Sequence, residues 1–378
     1  MNWIRDNIVK IAVVLVILII VIVVVSLMSG KKQEEEIVSA SGYEEIENRL
    51  QSAAINFVDD NPNFLPDTTD VNTTIKADTL IKNDYIGEIR AIENKSYKCS
   101  GEVVISKLYE DSEDYKFVPY VFCGDYYNTT TITNYILEHE KVVTTETGLY
   151  KEGNAYRYKG EYPNNYLLLG EAEYRIISID QNGVLKLIKS NPTKSRYVWD
   201  DRYNSNVGKS VGITNYDKSR MKDNLDFIYS NGDTDEGEVM FTDDERSYFI
   251  FYDFCNGSLH QDSTNIDIAA ECSSTVEQKI GLMNISDFYL ASIDSGCVAT
   301  NRYECTNYNW MYDLLITPYV SMNLTDRNTY EYLKIDEDGL IYRETANRGS
   351  RLYIVTHISG DNIFRSGNGT PSDPYVIR

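Results

Sequence analysis

Six cysteines, three histidines, one acidic loop and an excess of tyrosine carry whatever chemistry this chain can do. The cysteines stand at 99, 123, 255, 272, 297 and 305. Six thiols permit fifteen pairings, and the spacing favours near neighbours: Cys99 with Cys123, Cys255 with Cys272, Cys297 with Cys305. The first pair has a geometric reason. Strand-like runs, Cys99 to Ser106 and Lys116 to Cys123, flank the polar turn Glu110-Asp-Ser-Glu-Asp114. Folded as a hairpin, they bring the two Cα atoms to about 4.5–5.5 Å, a span a disulfide bridges. Buried free thiols are the alternative. Zinc fits poorly, because there is no C-x-x-C and His139, His260 and His357 are scattered.

Hard oxygen ligands cluster at Asn231, Asp233, Asp235, Glu236 and Glu238, an expectation of Ca²⁺ weighed against a solvated acidic loop. Against calcium, the sixth and twelfth positions of an EF-hand register hold Glu236 and Thr242 where Gly and Glu belong. Tyrosine numbers 31 against 3 Trp. Most must pack in sheets and core. Tyr197, Tyr203, Tyr303 and Tyr308, with Trp199 and Trp310, are the candidates for a recognition surface, and core anchoring is the competing role for both Trp. No phosphate-binding G-x-x-x-x-G-K-[ST] and no G-x-G-x-x-G is present, and Ser366-Gly-Asn-Gly-Thr370 reads as a turn. No catalytic residue is assigned. The sequence speaks for a binding module rather than an enzyme, with no cofactor beyond the calcium candidate.

The 378 residues are 42% hydrophobic and 25% charged, a globular composition of about two domains. Lys and Arg number 36 against 58 Asp and Glu, a formal charge of −22. That field repels a phosphate backbone, and no basic run longer than pairs such as Lys31-Lys32 offsets it, so no nucleic-acid partner is expected. From Ile11 to Met28 the only polar residue is Ser26, enough to span a bilayer as a helix. A cleaved signal peptide competes, but Val38-Ser39-Ala40 lies far beyond the apolar run. Arg5 and Lys10 on one side match Lys31 and Lys32 on the other, so charge alone leaves orientation open. Disulfides would decide it, since they persist in oxidising surroundings. The expected layout is a cytoplasmic tail (1–10), an uncleaved bacterial membrane anchor (11–28), a tether (29–42), a membrane-proximal α+β domain (43–135), a linker (136–144) and a sheet-rich extracytoplasmic domain (145–378).

Within that layout, Ile46, Leu50, Ala54 and Phe57 recur at helical spacing from Tyr43 to Val58, and the pattern stops at Asn61-Pro62. A second short helix is expected over Ala77 to Lys82. Asn182-Gly183 and Asp338-Gly339, each between alternating runs, predict two hairpins. Met221, Leu225 and Ile228 predict a helix over Ser219–Tyr229, and Ser286–Ser292 a shorter one.

The ordered set Lys159-Gly160, Asn165-Tyr166, Tyr174-Arg-Ile-Ile177, Asp217-Lys-Ser219, Gly281-Leu-Met-Asn-Ile-Ser286-Asp287, Leu315-Ile-Thr-Pro318 and the closing Ser366–Ile377 segment resembles a family of bacterial extracytoplasmic domains of unknown function. Those domains are similar to C-type-lectin-like or sulfatase-modifying-factor-like folds, and the resemblance covers 145–378. It implies a lectin-like distal module that binds carbohydrate or a cell-surface protein. The oxidase side of the resemblance needs a reactive Cys pair, whereas the Cys here read as structural. The proximal helix and hairpin resemble the membrane-proximal part of pilin-like surface proteins, which implies a structural subunit of an envelope or pilus-like assembly as the alternative. An enzyme with a site assembled from distant residues is the third reading.

Overall fold

The computed structural model describes residues 42–69, 71–107, 113–231, 240–261, 266–297 and 305–378. The expected tail and anchor, nearly all of the tether, four calcium candidates (Asp233, Asp235, Glu236, Glu238) and Tyr303 lie outside them. Among the described residues no helix is long and apolar enough to cross a membrane. The fold is mixed α+β, rich in sheet and poor in helix, and divides into two compact units, Met1–Thr129 and Thr130–Arg378.

The first unit opens with α1 (residues 42–60). Tyr43, Leu50, Ala54, Phe57 and Val58 fall on one stripe and are buried, while Ile46 lies at its edge. Asn61 ends it by donating its side-chain amide to Phe57 O at 2.8 Å, just before Pro62. Then come β1 (Thr73–Lys76), α2 (Ala77–Lys82), β2 (Ser100–Lys107) and β3 (Tyr115–Phe122), whose strands form an antiparallel sheet in that order. Ser100 opposes Phe122, so the next pair outward is Cys99 and Cys123, joined with Cα atoms 4.5 Å apart. Val103, Ile105 and Val121 meet the α1 stripe in one core. Glu47, buried within that stripe, accepts the Tyr127 hydroxyl at 2.9 Å and is also bonded by Thr129, which satisfies its carboxylate.

The second unit begins earlier than the expected linker. Its first helix, α3 (Ile132–His139), buries Ile132 and Ile136 in the second unit's core, so residues 130–144 belong to that unit. Next come β4 (Gly148–Glu152), β5 (Ala155–Lys159), β6 (Tyr166–Leu169), β7 (Ala172–Ile179) and β8 (Leu185–Lys189). They belong to a nine-stranded sheet with the strands Ile280–Gly281, Val355–Ile358, Phe364–Ser366 and Tyr375–Ile377. The β7–β8 hairpin turns at Asn182-Gly183, where Gly183 has φ +81°. A five-stranded sheet holds Tyr319–Thr325 at its centre, beside the hairpin of Glu331–Ile335 and Ile341–Thr345 that turns at Asp338-Gly339. α4 (Arg220–Asn231) buries Met221, Leu225 and Ile228, and α5 (Asp243–Tyr248), α6 (Ile285–Leu290) and α7 (Trp310–Asp313) complete the α-helices among the described residues. Cys255 bonds Cys272 and Cys297 bonds Cys305, with Cα separations of 4.5 and 5.3 Å.

Candidate functional site

One face of the second unit is built where the chain leaving β5 meets the start of α7. Gly160 donates to Ala291 O at 2.9 Å and accepts from the Trp310 amide at 2.7 Å. Its φ is +98°, and a Cβ there would lie 2.6 Å from Thr147 Cα, so backbone conformation and space both require glycine. Asn309 caps α7 by accepting from Met311 N at 3.1 Å, while its amide donates to Phe288 O and Cys305 O. The Cys297–Cys305 bridge thus shares a residue with the anchorage of this loop. Out of it project Tyr308, 57% exposed, and Tyr162, 73% exposed. Tyr308 holds φ +48°, a left-handed backbone that is uncommon for a bulky residue. Two carboxylates, Glu161 and Asp313, stand beside Tyr162. Burial, then the charge of Glu161, pushes Asp313 above the ordinary carboxylate range. Glu161, directly and then by charge, and Asp313 hold the Tyr162 hydroxyl above its usual value.

Beneath this face lies Arg175 of β7, only 6% exposed. Its guanidinium carbon sits 3.7 Å from the Tyr166 ring centroid and 4.8 Å from that of Trp310. Its Nε donates to Asn165 Oδ1 at 2.7 Å, and Asn165 Nδ2 donates to Ile176 O at 2.8 Å. Trp310 Nε1 donates to Tyr158 O at 3.0 Å, fixing the indole as one wall of the clamp. Burial pulls Arg175 below its ordinary pKa, and a guanidinium stays protonated nonetheless.

Two other polar centres are built into the same unit. A cavity of about 550 Å³ is lined by Gly170, Ala172, Lys189, Pro192, Met240 and Glu245, among others. Lys189 Nζ lies 2.5 Å from Glu245 Oε1, which also accepts the Tyr174 hydroxyl at 2.8 Å. Glu245 Oε2 accepts from Thr242 N at 2.8 Å and closes a capping box on α5. Burial raises the Glu245 carboxyl, but Lys189 and the Thr242 amide outweigh it and hold it below the ordinary range. Burial draws the Lys189 ammonium below its ordinary pKa while the Glu245 salt bridge opposes the shift and fixes it in place, which suits a wall of the cavity better than a nucleophile.

The second centre is Asp287, buried at the start of α6. Lys186 of β8 approaches it at 2.5 Å and Arg157 of β5 at 3.3 Å. Burial raises its carboxyl, yet the two cations bring it below the usual range. Opposite Lys186 across the ladder stands His357, whose ring stacks on Tyr252 at 4.1 Å and whose Nδ1 is buried without a hydrogen-bond partner. Burial first, then Lys186, drives His357 well below its ordinary pKa. Glu271 accepts from the Ser286 amide at 3.1 Å and from its hydroxyl, while burial and the Asp287 charge raise its carboxyl. These bonds tie α6 to the sheet.

The structure separates the aromatic candidates. Trp199 is core: it stacks on Tyr332 at 5.2 Å and donates to Thr214 O at 3.2 Å. Tyr197 is buried beside it in sequence, and Trp310 is the floor of the Arg175 clamp, so none of these three rings can stack on a ligand from outside. Tyr203, 66% exposed, has no ring contact or hydrogen bond to Tyr308 among the described residues. Asn231 is exposed at the end of α4. Among the described residues no three His, Cys, Asp or Glu side chains are grouped to hold a metal ion. Tyr162, Arg175 and Asp313 were not singled out as site residues in the sequence reading, although Gly160, Asn165-Tyr166 and Arg175 stood in the motif set and here meet at one site, while Lys159 and Tyr174 of the same motifs turn to Glu152 and Glu245. The chain matches no protein-family model, no curated protein and no solved structure.

Proposed function

We propose that this chain is a membrane-anchored, outward-facing bacterial surface protein whose second unit is a binding module, and that it takes carbohydrate on the face between residues 160–166 and 308–313. The observation that carries the reading is the pair of exposed tyrosines: Tyr308 sits at φ +48° on a loop pinned through Gly160 and Asn309, and Tyr162 follows two residues after Gly160. Backbone strain held by surrounding bonds belongs with ligand sites more than with packing. Flat phenol rings offer broad area at low entropic cost, and Glu161 and Asp313 supply acceptors for hydroxyl groups. Three disulfides suit an oxidising exterior, and the Ile11–Met28 run suits an anchor.

The test is a glycan array probed with the full-length chain and with Tyr162→Ala and Tyr308→Ala. Capture by the wild type, weakened about tenfold or more in each variant, is the expected result. Capture that ignores both substitutions, or no capture at all, defeats the proposal.

A further inference from the structure

A charge taken out of water is costly unless it is paired, and this unit pairs its other well-buried cations. Lys186 and Arg157 meet Asp287, Lys189 meets Glu245, and Lys334 lies 3.8 Å from Glu344. Arg175 departs from that pattern. Among the described residues its guanidinium makes one hydrogen bond, through Nε to Asn165, and no carboxylate reaches ion-pair distance. Asp313 and Glu173 act on it only through their field. Among the described residues its two terminal nitrogens make no hydrogen bond, and neither is fully shielded from solvent. The Tyr166 and Trp310 rings lie against the guanidinium, so polar contact with a ligand falls to its terminal nitrogens.

A guanidinium fixed in orientation, with two parallel N–H groups free, matches a carboxylate in two-point contact. The formal charge of −22 decides what may carry that carboxylate, because a polyanion is repelled by the whole molecule while one negative group meeting a clamped Arg is not. We propose that Arg175 is the anchor for a single carboxylate borne by the terminal residue of an otherwise neutral sugar chain, with the ring of that residue stacked on Tyr308 or Tyr162. This rests on the carbohydrate-binding reading above and names its ligand class.

The experiment measures affinity of the full-length chain for three matched sets of oligosaccharides: ending in one glucuronate or sialate, the same with the carboxylate methyl-esterified, and neutral counterparts. Wild type should bind the acids at least tenfold more tightly than the esters, a comparison that leaves the protein unaltered. Arg175→Gln should erase that difference, provided its thermal midpoint shows it folded. Equal binding of acid and ester that still depends on Tyr308 overturns the role of Arg175 and leaves the carbohydrate reading standing. Tyr308-dependent binding of neutral sugars alone does the same, and no binding in any set overturns both.

Discussion

Tyr308 shows how a single residue can be held against its own backbone preference. A non-glycine residue in the left-handed region costs on the order of 1–2 kcal/mol, and a glycine gives back part of that gain as unfolded-state entropy. Tyr308→Gly should therefore leave thermal stability unchanged or raise it by up to about 1 kcal/mol while abolishing glycan capture; a clear loss of stability would show that the ring supports the fold instead. His357 allows a second test at this scale. Its folded pKa is depressed, so the unfolded chain binds the extra proton, and stability falls as pH drops below the unfolded value of about 6.5. One such group contributes at most about 1.4 kcal/mol per pH unit. Asp287 and Glu245, also depressed, lose their contribution only as pH falls through the carboxylate range, while raised Glu271 works in the opposite direction. His357→Phe, which keeps a ring against Tyr252, should flatten the slope of unfolding free energy between pH 7 and 5; an unchanged slope would contradict this. Tyr308 stood among the aromatic candidates with nothing to mark it as exposed, and His357 stood only as one of three scattered histidines. An exposed Tyr and a core Tyr look alike in a chain with 31 of them, and burial of His357 depends on strands distant in sequence.

Elements fixed by local rules were readable, and those fixed by distant partners were not. α1, α2 and α4 follow apolar spacing, and both Gly-turn hairpins formed where Asn182-Gly183 and Asp338-Gly339 stand. The near-neighbour cysteine pairs formed too, since short separations close easily. By contrast, the strand Tyr375–Ile377 lies parallel to β6 across some 200 residues of chain, and α3 joined the second core through Ile132 and Ile136. No windowed pattern reports such pairings. The Arg175 clamp was hidden for the same reason in part: Asn165 and Tyr166 reach Arg175 across the local β6–β7 hairpin, but Trp310 comes from α7, far along the chain. Loop-closure entropy sets an order among the bridges. With separations of 24, 17 and 8 residues, losing Cys99–Cys123 should cost about 3.4 kcal/mol and losing Cys297–Cys305 about 2.5. Paired Cys→Ser variants in chemical denaturation give the check. The smaller loss at 297–305 should come with weakened glycan capture, because Cys305 O holds Asn309, whereas the 99–123 variant should bind normally.

At the scale of the whole molecule, the proposal joins an apolar N-terminal run, a strongly acidic surface and three covalent staples into one account of a chain working outside the cell. On that proposal the acidity keeps polyanions away and leaves selectivity to a small face with one clamped cation. Everything in that account requires surroundings where thiols stay oxidised, since the loop bearing Tyr308 is pinned next to Cys305. The most direct measurement is disulfide mapping by mass spectrometry on material isolated from its own cells, with free thiols blocked at lysis. The account predicts that no cysteine takes the blocking reagent and that cross-linked peptides join 99 to 123, 255 to 272 and 297 to 305. Six blocked thiols in freshly lysed cells would contradict it.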